Sequence, residues 1–207
     1  MIQILDFEKS YQNELVLKVP QLQIPEGVSW FQGVNGSGKS TFFKAISGIL
    51  PFRGEVLLHD GISLKRQAVA YRKRVNYCPA EPLYPDFIRG RDVFDFHRKV
   101  YKDKAEWLQP LIDALQVGDF IDKTIRTYSS GMAKKLGLIL ACIGQPEVLI
   151  LDEPLTTIDT DSQEILLRFL AQWEGTVLIS SHHHIRSTIF QVDHIFEVKD
   201  QSIVRKL

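Results

Sequence analysis

Two cysteines, no apolar run long enough to cross a bilayer and no surplus of either charge: the 207-residue chain first declares itself by what it does without. Cys78 and Cys142 stand far apart in apolar surroundings and read as buried, reduced thiols of a cytosolic protein rather than a disulfide pair. Lys plus Arg and Asp plus Glu number 25 each, which removes the global basic charge that would favour nucleic acid and leaves room only for a local patch. No apolar stretch approaches the roughly 20 residues that a membrane-spanning helix needs. The start, Met1-Ile2-Gln3-Ile4-Leu5-Asp6, lacks the basic end and apolar core of a signal peptide, so work at a membrane would need another anchor. Internal repeats, low-complexity tracts and long linkers are absent as well.

What is present is ordinary in bulk and specific in detail. Hydrophobic residues make up 44% and charged residues 24%, enough over this length for one α/β domain with a subdomain inserted in it. The stretch that organises the rest is Gly33-Val34-Asn35-Gly36-Ser37-Gly38-Lys39-Ser40-Thr41, which fits the P-loop pattern G-x-x-x-x-G-K-[ST]. An apolar run, Val28 to Phe31, precedes it as a strand, and Thr41 to Ile46 opens a helix that Gly48 closes. The glycines let backbone N–H groups turn toward phosphate oxygens, and the helix N-terminus adds partial positive charge at the same place. Lys39 is expected to reach the β- and γ-phosphates and the Ser40 hydroxyl to ligate magnesium. A bare turn would have no need of Lys-Ser after its last glycine.

The first sixty residues are β-rich, with strands expected at Ile2 to Phe7, Leu15 to Val19, Leu22 to Ile24, Val28 to Phe31 and Glu55 to Leu58. Tyr11 falls between the first two and suits either core packing or stacking on an adenine ring. Arg72-Lys73-Arg74 reads as a solvated helix end, Val75 to Cys78 as a strand, and Pro79 to Pro85 as a loop held extended by three prolines. From about 89 to 143 the pattern turns helical. Val93, Phe94, His97 and Val100-Tyr101 share helical spacing, as do Trp107, Leu108, Leu111, Ile112 and Leu115, and a third helix is expected from Ser130 to Ile143. The α/β pattern then resumes with strand Val148 to Leu151, helix Asp161 to Trp173, strand Thr176 to Ser180, a helix near Ile185 to Phe190, and strands His194 to Val198 and Ser202 to Arg205.

Val148 to Leu151 is a bare apolar run, as expected of a strand buried on both faces, and it delivers Asp152 at its C-terminal end, where parallel sheets bind ligands. Asp152 is expected to hold magnesium, directly or through water. Glu153 follows at once and can polarise a water for attack on a γ-phosphate. Three adjacent histidines, His182 to His184, invite a metal reading. Neighbours on an extended segment point to opposite sides, however, and no Cys or carboxylate stands at ligand spacing. His182, first after the strand, is better used as a polar switch at the γ-phosphate, with His183 and His184 starting the next helix.

Taken together, these pieces resemble one family along essentially the whole chain: the ATP-binding subunits of ABC transporters. Tyr128-Ser129-Ser130-Gly131-Met132 is similar to the family signature L-S-G-G-Q, and Leu155-Thr156-Thr157-Ile158-Asp159 resembles its D-loop. His182 falls on the switch histidine and Tyr11 on the aromatic that stacks on adenine. The resemblance implies a P-loop NTPase (RecA-like) core with an N-terminal antiparallel β subdomain and an inserted helical subdomain. Core and β subdomain would cover residues 1–88 and 144–207, and the helical, signature-bearing insert 89–143. It also implies ATP and Mg2+ as cofactors, held by Tyr11, Gly33, Asn35, Gly36, Ser37, Gly38, Lys39, Ser40 and Thr41, with Ser40 and Asp152 at the metal and Glu153 and His182 in catalysis. Two subunits, identical or paralogous, would close head to tail, with Ser129, Ser130, Gly131 and Asp159 of one completing the other's ATP site. Closing and opening would drive a transmembrane permease subunit from the cytoplasmic face, with no nucleic acid involved.

Departures from the family pattern are specific. The Gln expected after the Tyr-x-Pro strand, where it contacts magnesium and couples to the membrane domain, is replaced by Ala80, followed by Glu81. Ser130 stands for the first signature Gly and Met132 for its Gln; Ser130 is small, and backbone donors survive both changes. Tyr-Ser-x-Gly-Met followed by Lys134-Lys135, together with the chain's end soon after its last strand, inclines the reading toward export. Two other functions compete. A soluble ABC-type ATPase acting on ribosomes or DNA would usually carry two ATPase domains or a long coiled-coil insertion. A small-molecule P-loop kinase would leave the signature, D-loop and switch histidine unexplained.

Overall fold

The structure is a computed structural model describing residues 1–182 and 190–206. Its strands are β1 (Ile2–Tyr11), β2 (Glu14–Ile24), β3 (Gly27–Gln32), β4 (Arg53–Leu58), β5 (Val75–Cys78), β6 (Val148–Asp152), β7 (Thr176–Ser181), β8 (His194–Lys199) and β9 (Ser202–Lys206). The helices are α1 (Lys39–Ile46), α2 (Ala68–Arg72), α3 (Gly90–Tyr101), α4 (Gln109–Ala114), α5 (Ser130–Cys142) and α6 (Thr160–Leu170), with short 3₁₀ turns around α4 and before α5.

Strands β5-β6-β7-β3-β8-β9 form one sheet in that order, parallel from β5 to β8 with β9 antiparallel at the edge. Every residue of β6 and β7 is buried, as a parallel sheet covered on both faces requires. Because β3, β6 and β7 run side by side in one direction, their C-terminal ends bring the residues after Gln32, Asp152 and Ser181 to one rim. A second, antiparallel sheet has the order β2-β1-β4.

Two apolar clusters fill the space around the main sheet. One joins the antiparallel sheet to α1 and is built on phenylalanine. Phe31 stacks on Phe196 at 4.8 Å and meets Phe43 edge-on at 5.2 Å, while Phe7 meets Phe42 edge-on at 5.4 Å. Such pairs add about 0.5–1.5 kcal/mol each beyond area burial, so α1 has a stiff seat beneath the P-loop. The other cluster packs α3 to α6 on the opposite face, against Leu149, Leu151, Val177 and Ile179. Asn76 of β5 ties this helical side down. Its amide donates to the carbonyls of Ala141 and Ile143 at 2.9 Å, and its oxygen accepts from the Tyr101 hydroxyl at 2.7 Å.

Several expectations change in detail. The two short strands expected around Pro20 are one, β2, because β2 is an edge strand and a proline there leaves no ladder donor missing. Val100 shares helical spacing with the buried Val93 but lies 58% exposed on α3. The stretch from Trp107 to Leu115 is a 3₁₀ turn plus a short helix opened by Pro110, rather than one long helix. Helix α6 stops at Leu170, short of Trp173. The helix expected near Ile185 to Phe190 falls outside the described residues except for Phe190, which is buried and non-helical. His183 and His184 also lie outside them. Among the described residues, no helix is long and apolar enough to cross a membrane.

Candidate active site

The P-loop connects β3 to α1. Gly38 caps the helix at φ 103, a left-handed backbone that a side chain would strain, and a Cβ there would also press on Leu17 at 2.9 Å. The Lys39 ammonium donates to the carbonyls of Gly33 at 2.7 Å and Val34 at 3.1 Å, closing the loop on itself. Burial pulls the Lys39 pKa below its usual range, while Glu153 and Asp152 oppose that shift. Lys39 therefore sits in the field of both carboxylates. Ser40 and Thr41 are half-buried at the first turn of α1, and Asn35 and Gly36 are exposed. Beside the loop lies a cavity of about 820 Å³ whose walls include Leu15, Val16, Gly33 to Ser37, Ser181 and His182.

Across the rim, Asp152 is only 1% exposed at the end of β6. Its Oδ1 accepts from the Ser180 hydroxyl at 2.5 Å and its Oδ2 from the Tyr77 hydroxyl at 3.1 Å. Burial and the adjacent Asp152 charge push the Tyr77 phenol far above its ordinary range, so it remains a donor. A carboxylate offers about four lone-pair positions, so two remain for a metal or its water. Asp152 and Ser40 offer only oxygen, a donor set that fits a hard cation such as Mg2+.

Glu153 leaves the strand with φ 46, uncommon for a residue with a side chain. Its N–H donates to both the carbonyl and the hydroxyl of Ser180, at 3.2 and 3.0 Å. Its Oε1 lies 3.0 Å from Nδ1 of His182. Ser180 thus orients two consecutive acids, one by its hydroxyl proton and the other by its oxygens.

The signature segment and the D-loop meet elsewhere. Ser129 caps α5, accepting from the Met132 N–H at 3.1 Å. A Cβ on Gly131 would fall 2.7 Å from the Thr157 carbonyl, so the absence of a side chain lets the two loops touch. Lys135 reaches Asp159 at 3.1 Å, and Asp159 caps α6 by accepting from Ser162 N and Oγ, both at 2.8 Å. Those donors hold the Asp159 carboxyl well below the usual carboxylate range. A cavity of about 520 Å³ opens here, lined by Lys123, Ser129 to Met132, Lys135 and Thr157 to Asp159. It shares no lining residue with the cavity beside the P-loop.

The fold therefore gathers Lys39, Asp152, Glu153 and His182 at one place and Ser129, Ser130, Gly131 and Asp159 at another. Tyr11 stands at the β1–β2 hairpin, 46% exposed, with the Lys9 ammonium 4.5 Å from its ring centre; it is not in the wall of the larger cavity. Three contributors escape a motif-based reading. Ser180 and Tyr77 both sit on strands flanking β6, which was the available signal. The third is Lys134, fully buried in α5, whose ammonium donates to the carbonyls of Pro79, Ala80 and Asp152 at 3.0, 2.8 and 2.9 Å.

A parallel sheet with a P-loop after β3, an acidic pair after β6 and a flanking antiparallel sheet defines a P-loop NTPase. The chain belongs to the ABC transporter family, whose profile matches residues 17–156. It is 30% identical over 195 residues to the human glucosylceramide transporter ABCA12, a match covering 88% of this chain and 8% of that protein. It is 28% identical over 201 residues to the lantibiotic transport ATP-binding protein SrtF of Streptococcus pyogenes, covering 94% of this chain and 83% of SrtF. Among solved structures, an ATP-binding subunit of an ABC transporter superposes with a TM-score of 0.85 at 23% identity, covering all of this chain and 89% of that one.

Proposed function

We propose that this chain binds ATP with Mg2+ and hydrolyses it to power transport through a separate membrane-spanning partner. The observation that carries this is the convergence of Lys39, Asp152, Glu153 and His182 at the ends of adjacent parallel strands. In this reading the N–H groups from Asn35 to Thr41 and the Lys39 ammonium receive the phosphates, and exposed Tyr11 takes the adenine. Ser40 and Asp152 hold Mg2+, which when bound neutralises charge on the phosphate oxygens. Glu153 accepts a proton from the attacking water as its oxygen bonds to the γ-phosphorus and the bond to the β-phosphate oxygen breaks. His182 orients Glu153 and the γ-phosphate.

The separation of the two cavities supports a head-to-tail pair, homodimer or heterodimer, in which the signature of one subunit meets the nucleotide of the other. The helix N-terminus at Ser129 to Gly131, with Lys123 and Lys135 nearby, suits an anion supplied from outside the chain. A third cavity, about 510 Å³ and lined by Ile49, Leu83, Tyr84, His97 and Tyr101, supports docking of the membrane partner on the Pro79 to Arg98 region. Leu83 and Phe87, 90% and 79% exposed, are apolar side chains in need of a cover. In this reading the protein works at the cytoplasmic face of a membrane. Core and β subdomain span 1–88 and 144–207, with 89–143 as the helical insert.

The test has two parts. Purified chain with ATP and Mg2+ should release phosphate without an added acceptor, which separates it from a kinase. Tagged chain recovered from detergent-solubilised membranes should bring down a multi-spanning protein in stoichiometric amount. Ribosomal proteins or nucleic acid in its place would overturn the transport reading.

A further inference from the structure

We propose that Lys134 is a positioning residue for hydrolysis, coupling the loop after β5 to the end of β6 in place of the side chain that position 80 lacks; this rests on the ATPase reading above. The ammonium has three N–H donors, and all three find carbonyls, those of Pro79, Ala80 and Asp152. These acceptors come from two segments separated by 72 residues of chain (152 minus 80), and Lys134 itself comes from a third, the helix that carries the signature. The side chain is fully buried. A buried ammonium that loses an acceptor has no water to replace it, so the three segments are held to move together.

The consequence falls on the acids. The Asp152 side chain is fixed by Ser180 and Tyr77 and its carbonyl by Lys134, so both its carboxylate and its backbone oxygen are held from neighbouring segments. Glu153 follows directly in the chain. A shift of the Pro79–Ala80 loop, beside the apolar Leu83 and Phe87, reaches Asp152 and Glu153 through one side chain. Packing alone would be served by an uncharged residue of similar length, without the desolvation of an ammonium. Ala80 contributes through its carbonyl, which takes the shortest of the three contacts, at 2.8 Å.

The experiment uses the whole chain with Lys134→Met, Lys134→Gln and the double variant Lys134→Met, Ala80→Gln. Steady-state phosphate release should fall roughly tenfold or more in both single variants, as expected of a small misplacement of catalytic groups. KM and nucleotide affinity should stay within about twofold, since the P-loop is untouched. The double variant should recover part of the lost kcat. Unchanged kcat in both single variants, or equal losses of kcat and nucleotide binding, would overturn the proposal. Hydrogen exchange decides it independently of turnover. Lys134→Gln should speed exchange in both 80–84 and 153–157 while the amides of β3 and β7 stay protected. Faster exchange in only one segment, or in neither, removes the coupling even if the wild-type chain proves not to hydrolyse ATP.

Discussion

Oε1 of Glu153 and Nδ1 of His182 lie 3.0 Å apart, joining the residue after β6 to the residue after β7 across the rim of the sheet. A carboxylate only accepts, so the hydrogen on Nδ1 points at Glu153 and holds its side chain in one place. The neighbouring backbone reinforces this, because the Thr156 hydroxyl donates to the Glu153 carbonyl at 2.8 Å. Glu153→Gln should therefore lose roughly 100-fold or more of phosphate release while keeping ATP affinity, the range expected for removing a general base. His182→Ala should lose less, because Glu153 would remain but without its orienting partner. Single-turnover phosphate release with parallel nucleotide titration measures both. Full activity in Glu153→Gln would remove Glu153 from the mechanism.

Ser180 is the less visible support of the same site. Ser180→Ala would leave the buried Asp152 Oδ1 short of a donor and the half-buried Glu153 N–H with only the longer carbonyl contact. The expected cost is about 1–3 kcal/mol of stability, with a rise in the Mg2+ concentration needed for half-maximal activity. Tyr77→Phe keeps the ring and loses one donor to Asp152, so it should show the same Mg2+ effect at smaller size. Magnesium titrations and denaturant melts of the two variants test the ranking; an unchanged magnesium curve in Ser180→Ala would separate Ser180 from metal binding.

These residues also show what sequence could and could not disclose. The P-loop, the acidic pair and His182 were legible because their chemistry demands fixed residue types within a few positions of one another. The parallel strands were legible because Val148 to Leu151 carries no polar residue, as two-sided burial requires. Lys134, Ser180 and Tyr77 were not, since each acts on Asp152 across a packing contact that no local spacing encodes. In the sequence Lys134 is only one of two lysines that follow the signature, and its burial beside Asp152 comes from the fold. Pro20 misled for a related reason: whether proline breaks a strand depends on its being at a sheet edge, a property of the whole topology. Periodicity from Trp107 to Leu115 disclosed helical structure but not its division into a 3₁₀ turn and a short helix, because pieces this brief take their shape from the apolar cluster beneath them.

Asp159 links the D-loop to pH. Its donors, the Ser162 amide and hydroxyl and Lys135, hold its folded pKa below the ordinary 3.8. A depressed folded pKa contributes stability that is fully present above the unfolded value and is lost as pH falls through the folded one. Wild type should thus lose this contribution progressively below about pH 4, and Asp159→Asn, lacking the titration, should show a shallower acid limb. Thermal melts of the two proteins between neutral pH and the acid transition check the sign. Parallel limbs would mean that Asp159 contributes nothing to the pH dependence.

Gly131 offers a test of the second cavity that leaves the first alone. Adding a single carbon there brings Cβ within 2.7 Å of the Thr157 carbonyl, a backbone atom that cannot swing aside as a side-chain tip would. Either Thr157, already at φ 66, moves with its loop, or the first turn of α5 tilts and takes Ser129 and Ser130 with it. Overpacking of this kind costs about 1–3 kcal/mol, small enough for the chain to stay folded. No P-loop residue lines this cavity, so nucleotide affinity of Gly131→Ala should remain within about twofold while phosphate release drops. The drop should deepen in dilute protein if the signature serves the ATP of another subunit, because pairing would then limit turnover. Measuring phosphate release against protein concentration for wild type and Gly131→Ala separates these effects. A variant that binds and hydrolyses ATP like wild type at every concentration would show that this contact has no part in turnover.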